Sequence, residues 1–214
     1  MSGRFVLILA VAGGIFLTGC GEDPATEGDA PAATRQPGDF DGSHGEAVLA
    51  MEGLGEIRIE LLPEVAPESV RIFSERVEAR VYDGTTFHRV IPGFMIQGGS
   101  PSTRKADPRQ HGRGGVADFP DEFSDVTFAR GAVGLANKKR RGSAHGQFFI
   151  VLQDSPQLDG AYTLFGRVSA GMDVVDAITE LEIDQFGRYG PQDRPHPRDA
   201  RILSIRIDPS EGGS

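Results

Sequence analysis

The chain is 214 residues long, 38% hydrophobic and 25% charged, a composition that suits one globular domain of ordinary size with a tail. Its formal net charge of −9 argues against general nucleic-acid binding, which needs Lys and Arg to displace counterions along phosphate. No internal repeat is evident, and nucleic acid is not expected as a partner.

In chain order, residues 1–19 read as a signal segment. Arg4 is its only basic residue, Phe5 to Leu17 is an apolar run of 13 residues, and Leu17-Thr18-Gly19-Cys20 follows. A helix that spans a bilayer needs about 20 apolar residues, so the run is short for that role. The small residues before the only cysteine resemble the lipobox of bacterial lipoproteins. That resemblance implies cleavage before Cys20 and its diacylation, a plain secretory signal cut elsewhere being the alternative. Cleavage removes the single charge of Arg4, taking −9 to −10, and leaves no thiol for a disulfide or a nucleophile.

Residues 20–45 carry Cys20 and then GEDPATEGDAPAATRQPGDFDGSHG, with Phe40 the only large apolar side chain. Such a stretch cannot bury enough to order itself and reads as a flexible linker, with a root-mean-square reach of about 25 to 30 Å. Glycine after the cysteine resembles lipoproteins sent to an outer membrane. The expected location is the bacterial cell envelope, lipid-anchored through Cys20: the periplasmic side of the outer membrane where there are two membranes, otherwise the outer face of the plasma membrane.

The folded domain is expected over residues 46–208, with 209–214 a disordered tail. Residues 46–52 and 56–61 predict a hairpin turning at Gly53-Leu54-Gly55. Pro67 opens an amphipathic helix with Val70, Phe73 and Val77 at helical spacing, ending before Tyr82-Asp83-Gly84. Thr85 to Val90 is β-branched and aromatic enough for a strand, Ile91-Pro92-Gly93 ends it, and Phe94 to Gln97 resumes as another. Strict alternation would set Phe87, Arg89 and Ile91 on one face and His88 and Val90 on the other. Ser100 to Gly115 reads as a surface loop, its Gly112-Arg113-Gly114-Gly115 too weak a pattern for a phosphate loop. Further strands recur over residues 131–136, 147–152, 163–168 and 201–207, and a second helix over 172–181, a spacing that favours a closed antiparallel barrel over a parallel sheet.

The run YDGTTFHRVIPGFMIQGG at 82–99, with Ala136-Asn137, QFFI at 147–150, then LDG and FGRV, resembles the cyclophilin family of peptidyl-prolyl cis/trans isomerases from about Ala47 to Ile207. FHRVIPGFMIQGG matches the family's central signature almost letter for letter. The resemblance implies a mainly β fold, a closed eight-stranded antiparallel β-barrel capped by two α-helices, with the site on its outer wall. It also implies a reaction that rotates Xaa-Pro peptide bonds of proline-containing polypeptides, such as unfolded or exported proteins.

By the same resemblance, position by position, Arg89 takes the catalytic role and Gln97 is its polar neighbour. Phe94, Met95, Phe149 and Leu158 line the proline pocket, Ala136 and Asn137 hold the substrate backbone, Gln147 belongs to the floor and Tyr162 closes the rim. On residue pattern alone Arg89 could equally pack its stem along the barrel wall, and the apolar members could be ordinary core. Of the adjacent Phe148 and Phe149 only one can face outward.

The chain also departs from the family. Gln157 stands before LDG where many members carry tryptophan, and the chain has no Trp, which implies weak cyclosporin binding. The loop Lys138-Lys139-Arg140-Arg141 puts four consecutive cations between Asn137 and Gln147, either as a solvated surface or to steer acidic substrates or anionic lipid head groups. The five histidines have no metal-ligand spacing, so neither metal nor cofactor is expected. His88 beside Arg89 reads as structural, because isomerisation transfers no obligatory proton. A monomer is expected. The competing functional reading is a membrane-anchored module that binds proline segments, or acts as a chaperone, without turnover.

Overall fold

The computed structural model describes residues 45–183, 193, 195–196 and 199–209. Cys20, the signal segment and the linker through residue 44 lie outside these, as do residues 210–214 of the tail.

The alternating residues at the start of the domain form the predicted hairpin. β1 (Glu46–Met51) and β2 (Gly55–Leu61) pair antiparallel from Glu46 opposite Glu60 to Met51 opposite Gly55. α1 (Pro67–Glu78) starts with proline, which lacks the N–H that a first helical position cannot use. The next amides, those of Glu68 and Ser69, donate to the Glu122 carboxylate at 3.1 and 2.7 Å. An acidic side chain from a distant loop thus caps the positive end of the helix dipole. Val70, Phe73 and Val77 turn the helix's apolar stripe inward.

The remaining strands are β3 (Arg89–Ile91), β4 (Met95–Gly98), β5 (Ala132–Leu135), β6 (Phe148–Val151), β7 (Leu164–Ala170) and β8 (Ile202–Asp208). The second helix, α2, spans Met172–Glu180 between β7 and β8. All eight strands join one antiparallel sheet in the order β3-β4-β6-β5-β7-β2-β1-β8.

That order corrects the closed barrel: the sheet is open and curled, with β3 and β8 as its edges. The seam between them is stitched by an isolated Thr86–Arg201 bridge and by Phe87 N to Ala200 O at 3.0 Å and Ile202 N to Thr85 O at 2.8 Å. A ladder cannot run through it, because the neighbouring donors are spent elsewhere. Thr86 N donates to Thr103 Oγ1 at 3.0 Å, and His88 N turns back to Gln97 O at 2.9 Å.

The same irregularity breaks the predicted alternation. Phe87 is buried while Arg89 is exposed, so the two do not share a face. Of the expected strand 85–90 only Arg89 and Val90 pair regularly, in a short strand that runs on to Ile91.

The curled sheet separates two apolar clusters. The larger, enclosed one holds Ile57, Ile59, Phe73, Phe148 and Phe165 with the inward stripes of both helices. Phe148 sits at its centre, edge-on to Phe73, Tyr82 and Phe87 with ring centroids 5.8 to 6.0 Å apart. Burying such a ring contributes about 1.5 to 3 kcal/mol. The smaller cluster, on the outer face, holds Met95, Phe128, Phe149, Leu158 and Leu164. Strand periodicity therefore sends Phe148 into the core and Phe149 to the outer layer, where the site lies.

Candidate functional site

One row of residues crosses the sheet at the centre of this outer face. Arg89 on β3 lies opposite Gln97 on β4, Gln97 opposite Phe149 on β6, and Phe149 opposite Gly134 on β5. Residues directly opposite on adjacent strands project together, so pairing alone delivers a cation, an amide and an aromatic ring to one surface. Gly134 completes the row by having no side chain. A β-carbon there would lie 2.6 Å from Phe149 Cζ and 2.7 Å from Phe128 Cε1.

Around this row is a pocket of about 90 Å³ lined by Arg89, Phe94, Met95, Gln97 and Ala136, and on its far side by Asn137, Phe149, Leu158 and Tyr162. Drug-sized ligands need about 300 Å³ or more, so this volume suits one small apolar group. Met95 and Phe149 form the buried floor. Tyr162 stands edge-on to Phe149, with centroids 5.4 Å apart and planes at 85°. Phe128 stacks behind the Phe149 ring at 5.7 Å. Leu158 arrives from the short 3-10 turn Pro156–Leu158, held in place because the adjacent Asp159 Oδ1 accepts from Phe128 N at 2.9 Å.

The polar side of the pocket is ordered by a chain of amides. Gln147 Nε2 donates to the carbonyls of Gly112 and Gly114 at 2.9 and 2.7 Å. Carbonyls only accept, which fixes the orientation of that amide and leaves Gln147 Oε1 to accept from Gln97 Nε2 at 2.9 Å. Gln97 Oε1 is thereby turned toward Arg89 and accepts from its Nη1 at 3.4 Å, a long contact on an exposed guanidinium. The charge sits at the mouth of the pocket with, among the described residues, one weak tether.

Asn137 spends its side chain inside the protein. Nδ2 donates to Ala161 O at 2.9 Å and Oδ1 accepts from Lys139 N at 2.8 Å, which fixes the start of the basic loop. Ala136 N donates to Gln147 O at 2.8 Å. Tyr82, fully buried, donates to Gly146 O at 3.1 Å just before Gln147. Burial pushes its phenol far above the ordinary tyrosine value, so the hydroxyl remains a donor.

Nine of the residues picked from sequence thus line one pocket. Gln147 lies one step behind them, in an adjoining hollow of about 160 Å³ that also takes Gly112, Gly114, Lys138, Ser143 and His145. Sequence reading missed the part played by residues 100–115. They hold the 3-10 turns Pro101–Arg104 and Pro108–Gln110, and their closing glycines fix Gln147. His88 is buried, with Nδ1 3.4 Å from Thr86 O, away from the pocket lining. Cys20 falls outside the described residues.

Residues 47–207 match the family described as cyclophilin type peptidyl-prolyl cis-trans isomerase/CLD. A probable peptidyl-prolyl cis-trans isomerase of Brucella suis is 43% identical over 130 residues, covering 58% of this chain and 66%, just under two thirds, of that protein. A peptidyl-prolyl cis-trans isomerase of Acinetobacter baylyi is 37% identical over 160 residues, covering 72% of this chain and 81% of its own length. Among solved structures, a cyclophilin-type isomerase of Cryptosporidium parvum, crystallised in the presence of the dipeptide Ala-Pro, superposes with a TM-score of 0.65 at 26% identity. The match covers 76% of this chain and 98% of that one.

Proposed function

We propose, since this chain belongs to the cyclophilin-type peptidyl-prolyl cis-trans isomerase family, that it catalyses rotation about Xaa-Pro peptide bonds, with the prolyl ring in the outer-face pocket and Arg89 acting on the twisted amide. Amide resonance sets a barrier of about 18 to 20 kcal/mol, and an unaided Xaa-Pro bond takes tens to hundreds of seconds to turn. No bond is made or broken. A catalyst has to hold the ring while the rest of the peptide turns, and to stabilise the lone pair that localises on nitrogen and the charge shift at the carbonyl as conjugation is lost.

The residues suit those two tasks. Met95, Phe149 and Leu158 offer a small apolar seat. The arginine side chain is charged at any physiological pH and carries several donors. A bound peptide would cover the guanidinium and strengthen its hydrogen bonds by excluding water. A thousandfold acceleration needs about 4 kcal/mol of preferential binding to the twisted state, within reach of a charge-assisted hydrogen bond plus positioning.

The observation that carries this reading is the cross-strand row that places Arg89 and Gln97 beside Phe149 at the mouth of the pocket. The test is an isomerisation assay on a Xaa-Pro peptide comparing wild type with Arg89→Ala. A drop of two to three powers of ten in kcat/KM is expected, with an unchanged melting temperature because Arg89 is exposed. Equal rates would leave only a module that grips proline segments.

The same proposal places the domain outside the cytoplasm, lipid-anchored through Cys20, where it would assist the folding of exported proteins. Its support is the apolar run 5–17 followed by Leu17-Thr18-Gly19-Cys20. Palmitate labelling of the full chain, lost on Cys20→Ser, is the expected result; equal labelling of both would remove the anchor.

A further inference from the structure

Beside the proline pocket, and continuous with it through Arg89, Phe94, Asn137, Leu158 and Tyr162, runs a wider groove of about 640 Å³. Its outer bank is the basic loop: Lys139, Arg140 and Arg141 line it, with Phe123 and Gln157. Arg89 faces the groove as well as the pocket, so four cations border one concave surface, and among the described residues no carboxylate lines it.

Among the described residues no carboxylate neutralises these charges. Elsewhere Arg58, Arg71, Arg130, Arg167 and Arg206 each face a carboxylate. Among the described residues no Asp or Glu lies within ion-pair distance of Arg89, Lys139, Arg140 or Arg141; the one aromatic contact is Arg141 Cζ, 5.3 Å above the Phe123 ring. The loop backbone meanwhile is pinned. Asn137 Oδ1 accepts from Lys139 N at 2.8 Å, Ser143 Oγ accepts from Lys138 N at 2.9 Å, and Asp121 Oδ2 accepts from Gly142 N at 2.8 Å. The backbone that carries these three exposed cationic side chains is thus held beside the groove, on a chain whose net charge is −9.

An acidic peptide is disfavoured by the net negative charge of the chain and attracted at this groove, an arrangement that selects one charge class of ligand. We propose that the groove is a subsite for a carboxylate-bearing residue flanking the target proline, so that acidic Xaa-Pro segments are the preferred substrates. The inference rests on the isomerase reading above and adds the substrate class to it. A solvated loop would leave the cations indifferent to sequence. Here they share five lining residues with the proline pocket, so any chain leaving that pocket along the groove passes them.

The test compares matched peptides with Glu, Gln or Lys placed immediately before or after the proline. Isomerisation and calorimetric affinity are measured for the wild-type chain, for K139Q/R140Q/R141Q and for K139E/R140E/R141E, at low salt and near 1 M. The wild type should favour Glu over Gln about three- to tenfold on at least one flank, the sum expected of a few exposed charge pairs. The preference should fall toward unity at about 1 M salt, where the screening length is about 3 Å. The neutral variant should lose it, and the reversed variant should favour Lys, a gain that a misfolded protein could not show. A Glu-to-Gln ratio within twofold of unity on both flanks, or the same ratio in all three proteins, overturns the subsite while leaving turnover of the Gln peptide to support the isomerase. Absence of turnover on every peptide instead overturns the isomerase reading, and the affinities then decide the subsite alone. If the substitutions change binding to phosphatidylglycerol vesicles but not the peptide ratio, the cations serve a membrane and the subsite is overturned.

Discussion

Phe149 occupies the space that a side chain on Gly134 would need: a β-carbon at residue 134 would fall 2.6 Å from Phe149 Cζ and 2.7 Å from Phe128 Cε1. The floor of the pocket therefore depends on a missing side chain one strand away. Gly134→Ala should destabilise the domain by about 1 to 3 kcal/mol, the usual cost of overpacking, and should lower turnover by pushing the Phe149 ring into the pocket. Adding Phe149→Leu should recover part of the stability, because neighbours that share one space are not additive. Denaturant unfolding and kcat/KM for the two single variants and the double measure both effects; a Gly134→Ala protein as stable and active as wild type would falsify this account of the floor.

Gln97 should act through Arg89 as a positioning residue. It touches Arg89 on one side and Gln147 on the other, and its amide orientation is set by the carbonyls beyond Gln147. Gln97→Ala is expected to reduce kcat up to about tenfold with less change in KM, the scale of one net hydrogen bond. In an Arg89→Ala background the same change should cost almost nothing. If the two losses multiply instead, Gln97 contacts the substrate in its own right.

These relationships also show where sequence was informative. The hairpin, the second helix and most strands fell within a residue or two of their predicted ends, and the first helix starts at the predicted Pro67 and ends three residues short, at Glu78, because alternation at residues 56–61 and 3.6-residue spacing at Val70, Phe73 and Val77 are local signals. Period two required only that Phe148 and Phe149 face opposite ways; the family resemblance chose Phe149 for the outer face, and the sheet places it there. The open sheet was not legible, since Thr86 N pairing with Thr103 Oγ1 depends on a loop 17 residues later. Nor was the support of Gln147 by Gly112 and Gly114, carbonyls that any residue could supply, 35 and 33 residues away. The strand-to-strand row from Arg89 to Gly134 needs the sheet order, and no stretch of sequence encodes that by itself.

Tyr82 should make the domain sensitive to alkali. Its hydroxyl is buried and donates to Gly146 O at 3.1 Å, and burial raises its folded-state pKa far above the unfolded value of about 10. The folded state therefore keeps the proton at pH values where the unfolded chain gives it up. The stabilisation is fully present below about pH 10 and is eroded as pH rises above it, toward the folded value. Tyr82→Phe removes the titrating group and should flatten that alkaline limb, while costing about 1 kcal/mol at neutral pH for the lost hydrogen bond. Urea unfolding from pH 7 to 11 reads both; parallel alkaline limbs for the two proteins would assign the slope to other groups.

Gln157 bears on inhibitor binding, because it lines the groove next to Leu158 and Tyr162 and is exposed where a larger ring could lie. The resemblance to cyclophilins implies that a tryptophan here forms part of the cyclosporin pocket, and its absence implies weak binding. Gln157→Trp should strengthen cyclosporin inhibition about ten- to hundredfold, the range given by burying roughly 1.5 to 3 kcal/mol of aromatic surface. The chain has no other tryptophan, so the variant carries its own reporter. Cyclosporin should quench and blue-shift its fluorescence at the concentration that inhibits turnover. If fluorescence shows the indole buried by the drug while inhibition stays at the wild-type level, the weakness arises elsewhere, and the cations of the adjoining loop become the next residues to replace.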